Sequence, residues 1–103
     1  MSSIRVIAGR FGGRLLDAPK DNNTRTKPMG ERIRNAMFNS IGNEINGAQV
    51  LDAFAGTGAV GLEALSRGAA RVTFIERDKI AQKILSNNVS SLGVQYETKI
   101  ISA

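Results

Sequence analysis

The apolar and polar positions of the chain predict a two-stranded unit, a helix, and then a regular alternation of strands and helices. Three short apolar runs, at 49–53, 71–76 and 96–101, are separated by stretches of helical spacing at 58–66 and 79–92. Short strands that alternate with helices are typical of βαβ units. Because such crossovers are right-handed, we expect the three strands to be parallel neighbours. Gly68 and Gly93 follow the two helical stretches and are predicted to end them.

Two shorter apolar runs, at 4–8 and 14–18, precede this alternation. Gly12-Gly13 lies between them, and paired glycines tolerate the positive φ angles of a tight hairpin turn. The run 19–28 is polar and rich in turn-forming residues, so we expect a mobile surface connection there.

A further helix is predicted to begin at Pro28, with Thr26 as its cap, and to end at Gly42. Its apolar positions recur at helical spacing and are expected to pack against the sheet domain, with Arg32 and Arg34 turned away from it. These positions are Met29, Ile33, Ala36, Met37 and Ile41.

The composition fits one small globular domain. The 103 residues are 42% hydrophobic and include neither cysteine nor histidine. That removes disulfides, thiolate metal sites and the commonest general base, so no metal partner is expected. The chain has no secretory or membrane-spanning run, so no membrane partner is expected and a cytoplasmic, reducing location fits best.

The net charge of +5 is concentrated near the beginning of the chain. Residues 1–34 hold eight basic and three acidic side chains, whereas residues 35–103 hold six of each. One interpretation is a solvated basic surface, since charge reports on association rather than on fold. The other is an arm that contacts nucleic-acid phosphates.

The segment 50–61 carries the strongest functional signal. An apolar run ends at Asp52, a glycine-rich turn runs from Gly56 to Gly61, and a helix begins at once. Glu76 lies twenty residues beyond Gly56, at the end of the next apolar run. In open α/β sheets this order builds a nucleotide-type pocket at the carboxyl ends of the strands, where the second carboxylate accepts the hydroxyls of a ribose.

The charge of Asp52 separates the candidate cofactors. In a dinucleotide site the first glycine follows the strand directly, so that the diphosphate reaches the helix N-terminus. Here Asp52 ends the strand four residues before Gly56, and its negative charge opposes a diphosphate but favours an amino group or a sulfonium. S-adenosylmethionine carries both cations and is the cofactor we expect. NAD or FAD is the alternative, as is a purely structural turn.

Several stretches of the chain resemble the RsmD family of 16S rRNA guanine-N2 methyltransferases. Residues 52–69 and 72–78 are similar to the cofactor-binding motifs of that family, which many other methyltransferases share. Residues 5–14 are similar to the family's opening hairpin and residues 28–39 to its next helix. This earlier part is more specific, and the resemblance covers nearly the whole chain in collinear order.

The resemblance implies an α/β, Rossmann-like S-adenosylmethionine-dependent methyltransferase fold that methylates the exocyclic N2 amine of a guanine in 16S rRNA. The implied partner is 16S rRNA or the small ribosomal subunit, and the full-length protein is expected to be monomeric. The implied cofactor-binding residues are Asp52, Phe54, Ala55, Gly56, Thr57, Gly58, Gly61, Glu76 and Arg77. The implied RNA-binding residues are Arg5, Arg10, Phe11, Arg14, Arg25, Lys27 and Arg32.

Two of these assignments compete with plainer ones. Phe11 would stack on a base, but packing into the core is the alternative. Arg77 would flank the adenine, but a surface salt bridge is the alternative. Asn88, at the end of a family-like helix pattern, is assigned a structural role.

One element of the family has no counterpart in this sequence. The family carries an Asp/Asn-Pro-Pro-aromatic motif that orients the target amine and stacks on the flipped base, whereas Pro19 and Pro28 are the two prolines here and are not adjacent. We therefore assign no catalytic residue and expect the isolated chain to be inactive. Residues 1–27 are interpreted as an RNA-contacting hairpin and mobile segment, 28–47 as a linking helix and loop, and 48–103 as the first half of the methyltransferase domain.

Two other functions fit the same residues. One is a non-catalytic fragment that binds RNA and cofactor, and the other is a fragment of a different amino-methyltransferase that acts on DNA. In either case, three parallel strands would leave an open edge and an uncovered apolar face. We therefore expect marginal stability or self-association.

Overall fold

The computed structural model describes residues 2–19 and 29–103 and contains two sheets. An antiparallel pair is formed by β1 (Ser2–Arg5) and β2 (Leu15–Ala18). A parallel sheet in the order β3-β4-β5 is formed by β3 (Gln49–Asp52), β4 (Arg71–Ile75) and β5 (Thr98–Ile101). The helices are α1 (Glu31–Ile41), α2 (Ala59–Ser66) and α3 (Lys79–Leu92), with short 3-10 turns at Gly42–Ile45 and Gln95–Glu97.

The predicted βαβ alternation is confirmed, with small shifts at the element ends. Helix α3 has the predicted bounds, and Gly93 ends it in the left-handed conformation at φ +72°. Asp78 caps its start by accepting a hydrogen bond of 2.9 Å from the amide of Ala81. The last strand begins at Thr98 rather than at residue 96 because Gln95–Glu97 form a 3-10 turn.

The hairpin prediction is right about the pairing and about the turn at Gly12-Gly13, but it missed an additional turn before Gly12. Ser2 pairs with Ala18 and Arg5 with Leu15, so the first strand lies earlier than predicted. The connection spans residues 6–14 and contains two successive turns. The second has Gly12-Gly13 at its centre: the amide of Arg14 donates to the carbonyl of Phe11 at 2.9 Å, and Gly13 has φ +88°. The first turn is docked onto the end of α2, where a Cβ at Gly9 would lie 1.9 Å from the carbonyl oxygen of Ser66.

Helix α1 begins later than predicted and buries a different face. It begins at Glu31, after the extended residue Gly30, and ends at Gly42 as predicted. Thr26 and Pro28 lie outside the described residues.

The predicted apolar packing stripe of α1 is wrong for four of its five residues, whereas Met37 is partly buried and packs against the core. Ile33 is 63% exposed, and Met29, Ala36 and Ile41 are exposed as well. The buried residues of the helix are Arg34 and Phe38, so the outward placement predicted for Arg34 is also wrong. A buried carboxylate on α2 holds Arg34 inward, as described below.

The core lies between the parallel sheet and helices α2 and α3. Leu62, Phe74 and Leu85 are fully buried in it. Helix α2 approaches β4 closely because Gly61 has no side chain: a Cβ there would lie 2.3 Å from the ring of Phe74. Burial of these apolar groups supplies the main favourable contribution to folding.

The residues that the structure describes leave the opposite face of the parallel sheet without a covering layer. The ring of Phe74 packs against α2, so its neighbour Ile75 points to the other face, as does Leu51 on β3. Leu51 is 62% exposed. Within the described residues, Leu51 is therefore the exposed apolar side chain that the expected open face predicts.

Candidate cofactor site

The two predicted carboxylates lie at one edge of the parallel sheet. Strands β3 and β4 are parallel neighbours, with Asp52 paired opposite Phe74. Glu76 follows β4 directly, so both carboxylates lie at the carboxyl ends of adjacent strands. They are close enough that the charge of Glu76 contributes to the raised pKa of Asp52. This is the edge at which open α/β sheets bind their ligands.

Glu76 joins the glycine loop to the start of α3. Its Oε1 accepts a hydrogen bond of 2.7 Å from the amide of Gly56, and its Oε2 accepts one of 2.8 Å from the amide of Asp78. The side chain of Gln82 donates to the main-chain carbonyl of Glu76 and fixes the backbone there. Each carboxylate oxygen has capacity for a second hydrogen bond, so Glu76 can still accept the hydroxyls of a ribose.

Asp52 is a partly buried carboxylate with an unfavourable environment for its charge. Burial is the main cause that raises its pKa, and Glu76 raises it further. Hydrogen bonds from the amides of Gly61 and Phe54 act in the opposite direction. The bond from Gly61 measures 3.2 Å to Oδ2. A cation placed beside Asp52 would relieve this cost.

The glycine loop owes its shape to two positive φ angles. Gly56 has φ +55° and Gly58 has φ +95°, a region that favours glycine. A Cβ at Gly58 would lie 2.4 Å from a methyl group of Leu85, so the loop is seated directly on α3. Ala55 donates to the carbonyl of Ile75 at 3.1 Å, which fixes the loop against β4.

The structure brings most of the predicted cofactor residues to this edge. Asp52 and Glu76 are connected to the loop by hydrogen bonds, and Ala55, Thr57 and Gly58 form its buried side. Phe54 is 94% exposed, and Arg77 is exposed next to Glu76. Gly61 differs from the rest, because it is buried between α2 and β4. Its contact with the site is the hydrogen bond from its amide to Asp52.

This arrangement fits S-adenosylmethionine. The donor groups of such a cofactor include an ammonium and two ribose hydroxyls, and the site presents two carboxylates. A carboxylate at Asp52 has the charge to attract a cationic group, and Glu76 lies one strand away with free capacity to accept hydroxyl donors. A diphosphate would meet the charge of Asp52 in a partly buried setting, which is unfavourable.

The predicted RNA-binding residues that the structure describes lie on the hairpin and α1. Arg5 is paired with Glu31 at 2.7 Å, which lowers the pKa of Glu31, and Arg10 is paired with Glu97 at 2.7 Å. Arg14 donates to the carbonyl of Ser91 at 2.9 Å. Arg32 is exposed, and Arg25 and Lys27 lie outside the described residues.

The hairpin loop is at the opposite edge of the sheet from the cofactor site. Arg10 donates its amide to the carbonyl of Ser66, at the end of α2, and its side chain reaches Glu97, just before β5 begins. Phe11 is partly buried against the core, with the guanidinium of Arg10 at 4.5 Å from its ring centre. This geometry favours the packing interpretation of Phe11.

Sequence reasoning missed a buried ionic cluster that attaches the hairpin and α1 to α2. Glu63 is fully buried and accepts hydrogen bonds from the amides of Ile7 and Ala8 at 2.9 and 3.1 Å. It also pairs with Arg67 at 2.8 Å and with the Nε of Arg34 at 3.5 Å. A carboxylate inside the apolar run 59–65 was the available signal, because such a group needs partners when buried.

Asn88 makes a second connection, between the hairpin and the glycine loop. It is 2% exposed. Its Oδ1 accepts from the amide of Asp17 at 2.8 Å, and its Nδ2 donates to the carbonyls of Asp17 at 3.0 Å and Thr57 at 2.9 Å.

Two negative findings apply to residues 2–19 and 29–103. In these ranges, no group of three or more acidic, histidine or cysteine side chains is arranged to hold a metal ion. Within the same ranges, none of the helices has the length and apolar character needed to cross a membrane.

The fold and the site together define an S-adenosylmethionine-dependent methyltransferase architecture. A solved structure of the Escherichia coli protein yhhF, provisionally described as a methyltransferase, superposes with a TM-score of 0.87 at 37% identity. The match covers 99% of this chain and 53% of that one. The Rossmann-like methyltransferase fold expected from the resemblance is therefore confirmed.

The family follows from the sequence comparisons. A family model described as "Conserved hypothetical protein 95" matches residues 4–103. The chain is 42% identical over 94 residues to ribosomal RNA small subunit methyltransferase D of Haemophilus influenzae, and 45% identical over 89 residues to the protein of that name from Escherichia coli K12. The chain belongs to this family, which is the RsmD family.

The matches cover much of this chain but less of the relatives. They include 91% and 86% of this chain, and 48% and 44% of the Haemophilus and Escherichia proteins. The chain therefore spans about half the length of the curated relatives it matches.

Proposed function

We propose that this chain provides the cofactor-binding half of an enzyme that methylates the exocyclic N2 amine of a guanine in 16S rRNA. The observation that carries the proposal is the placement of Asp52 and Glu76 at the ends of adjacent parallel strands, with the amide of Gly56 bonded to Glu76. The names of the relatives support rRNA of the small subunit as the substrate class. Such a substrate also favours action in the cytoplasm.

In this proposal the residues of the chain bind and orient the cofactor. S-adenosylmethionine would supply a methyl group on a cationic sulfur. Asp52 would attract the cationic end, and Glu76 would accept the ribose hydroxyls while it holds Gly56 in place. Methyl transfer in line with the sulfur depends chiefly on positioning. The chain therefore contributes one half of that geometry, the placement of the cofactor.

The target amine needs a second group of residues. Activation of an exocyclic amine requires acceptors that orient its lone pair, and the family supplies them with an Asp/Asn-Pro-Pro-aromatic motif. The 103 residues contain no Pro-Pro pair. We therefore propose that this chain alone binds S-adenosylmethionine without turnover.

The basic surface of residues 1–34 is proposed to contact rRNA phosphates. The ion pairs of Arg5 and Arg10 are exposed, and exposed pairs contribute little to stability. Both arginines can therefore exchange a carboxylate for a phosphate at low cost. Binding by such contacts weakens steeply with salt.

A transfer assay with labelled S-adenosylmethionine tests the proposal. Small ribosomal subunits that lack the modification are incubated with the 103-residue chain and, in parallel, with the protein that includes any coding sequence beyond residue 103. The longer protein is expected to label N2-methylguanine in 16S rRNA, and the chain alone is expected to bind cofactor without labelling RNA. Labelling of another nucleotide, or of DNA instead, would contradict the substrate assignment. Turnover by the short chain would contradict its assigned incompleteness.

A further inference from the structure

We propose that Asn88 is a positioning residue that couples the N-terminal hairpin to the glycine loop, so that cofactor binding at this loop stabilises the hairpin. This inference rests on the proposed function, because it takes S-adenosylmethionine and its demethylated product S-adenosylhomocysteine as ligands of the glycine loop. The observation behind it is that one buried amide bonds both elements at once.

The bonds of Asn88 fix its orientation. The Oδ1 faces the amide of Asp17, and the Nδ2 faces the carbonyls of Asp17 and Thr57. Exchange of the oxygen and nitrogen would place a donor against a donor and an acceptor against two acceptors. All three bonds are therefore available in one orientation alone.

On the hairpin side, Asn88 occupies the place of a neighbouring strand. Asp17 lies in β2 and is paired with Ser3 of β1, yet both its amide and its carbonyl bond the side chain of Asn88. These groups point away from β1, along the outer edge of β2. An unpaired strand edge would otherwise leave them exposed or unsatisfied.

On the cofactor side, Asn88 holds the turn between the two glycines that shape the loop. Thr57 lies between Gly56 and Gly58, which both have positive φ. Leu85, one helical turn before Asn88 on α3, is the side chain that lies against Gly58. The glycine loop therefore rests on one face of α3, and Asn88 is the polar contact of that face.

This geometry transmits order between two distant surfaces. The hairpin loop lies at the amino edge of the sheet, and the glycine loop lies at its carboxyl edge. Asn88 is bonded both to β2 of the hairpin and to the glycine loop. A ligand that fixes Thr57 also fixes the carbonyl that accepts from the Nδ2 of Asn88. It thereby holds the side chain of Asn88 in the orientation that bonds Asp17. Such coupling is reciprocal, so rRNA contacts that order the hairpin would also favour cofactor binding.

The test measures backbone hydrogen exchange in the 103-residue chain with and without S-adenosylhomocysteine. In the wild-type chain, the ligand is expected to slow exchange in residues 54–61 and also in residues 14–19. The slowing in 14–19 is expected to be about fivefold or more, the low end of ordinary coupling between sites.

The variant Asn88→Ala removes all three bonds. At saturating ligand it is expected to retain protection of 54–61 and to lose the ligand-dependent protection of 14–19. Asn87→Ala is the matched control, because Asn87 is the adjacent and exposed residue of the same type on the same helix; it is expected to behave as the wild-type chain does. Should Asn88→Ala not fold, Asn88→Asp keeps the volume and the acceptor for Asp17 but loses both donors. It is expected to give the same loss.

The outcomes separate the coupling from the proposed function. A wild-type chain that binds S-adenosylhomocysteine without slowing exchange in 14–19 overturns the coupling and leaves the proposed function intact. A wild-type chain that does not bind the ligand overturns both. Ligand-dependent protection of 14–19 that persists in a folded Asn88 variant shows that Asn88 is merely structural and also overturns the coupling.

Discussion

The amide of Gly56 donates a hydrogen bond of 2.7 Å to the carboxylate of Glu76. This bond joins the glycine-rich turn after one strand to the acidic residue after the next. The carboxylate that is proposed to accept the ribose hydroxyls therefore also holds the backbone of the glycine-rich turn. The conformation of the glycine-rich turn and the position of the Glu76 carboxylate therefore depend on the same hydrogen bond.

Replacement of Asp52 by asparagine is expected to stabilise the fold at neutral pH. The folded protein holds the pKa of Asp52 above its ordinary value of 3.8, mainly because of burial. Between that value and the raised pKa, the folded state binds more protons than the unfolded state, so stability falls as the pH rises through this window. The amide oxygen of the substituted side chain would still accept from the amide of Gly61, without the charge.

Urea unfolding of the wild-type chain and Asp52→Asn at several pH values checks this. The variant should have the higher free energy of unfolding at pH 7, and the difference should shrink as the pH approaches 3.8. A variant that is less stable than the wild-type chain at pH 7 would show that the burial of Asp52 is not costly.

Removal of the Glu63 carboxylate is expected to be strongly destabilising. Glu63→Ala leaves the guanidinium of Arg34 buried and removes the acceptor of the amides of Ile7 and Ala8. Loss of one partner of a buried ion pair costs about 3–5 kcal/mol. Denaturant unfolding measures this loss, and hydrogen exchange should show the hairpin released first.

The control for Glu63 is the exposed pair of Arg5 and Glu31. Arg5→Ala removes an ion pair of 2.7 Å in which both side chains are about half exposed, so the unfolding midpoint should stay within experimental scatter. An equal loss of stability in Glu63→Ala and Arg5→Ala would contradict the expectation that the buried ion pairs of Glu63 hold the hairpin more strongly than the exposed pair does.

Gly61→Ala is expected to destabilise the fold by overpacking. The added Cβ would lie 2.3 Å from the ring of Phe74 and 2.9 Å from a methyl group of Val72. Overpacking of this kind costs about 1–3 kcal/mol. Gly30→Ala is the matched control, since position 30 has φ −61° and no atom within 4 Å of an added Cβ. Thermal unfolding should separate the two variants, and an unchanged melting temperature for Gly61→Ala would refute the close contact.

The ion pair of Arg10 and Glu97 offers a test of RNA binding. If Arg10 contacts phosphate, Arg10→Ala should weaken binding to a 16S rRNA fragment and lower the salt dependence by about one unit of slope. Glu97→Gln removes the competing carboxylate and should tighten binding. Filter binding at several salt concentrations measures both, and identical affinities for all three proteins would remove Arg10 from the interface.

The parallel sheet and the site could be predicted from the sequence because their signals are local. A short apolar run, a carboxylate and two glycines follow one another within residues 49–58, and the structure has a strand that ends at Asp52 and a helix that begins at Ala59. The carboxyl ends of neighbouring parallel strands always share an edge, so the approach of Asp52 to Glu76 followed from topology alone.

The attachment of the hairpin and α1 could not be predicted in the same way. Helical spacing placed Ile33 in the core and Arg34 outside, and the structure reverses both. The rule that apolar residues are buried fails here because Glu63, far away in sequence, provides a partner for a buried guanidinium. Likewise, the turn expected at Gly12-Gly13 is preceded by an additional turn, because residues 9–12 pack on the end of α2. Both outcomes depend on contacts between distant segments.

The central claim is tested most directly by calorimetric titration of the wild-type chain with S-adenosylmethionine and, separately, with NAD. We expect binding of S-adenosylmethionine, no binding of NAD, and an affinity for S-adenosylmethionine that falls about tenfold or more in Glu76→Gln, because hydrogen bonds to a charged group contribute about 1.5–3 kcal/mol. Glu97→Gln should bind the cofactor as tightly as the wild-type chain. Binding of NAD in preference to S-adenosylmethionine, or an unchanged affinity in Glu76→Gln, would contradict the claim.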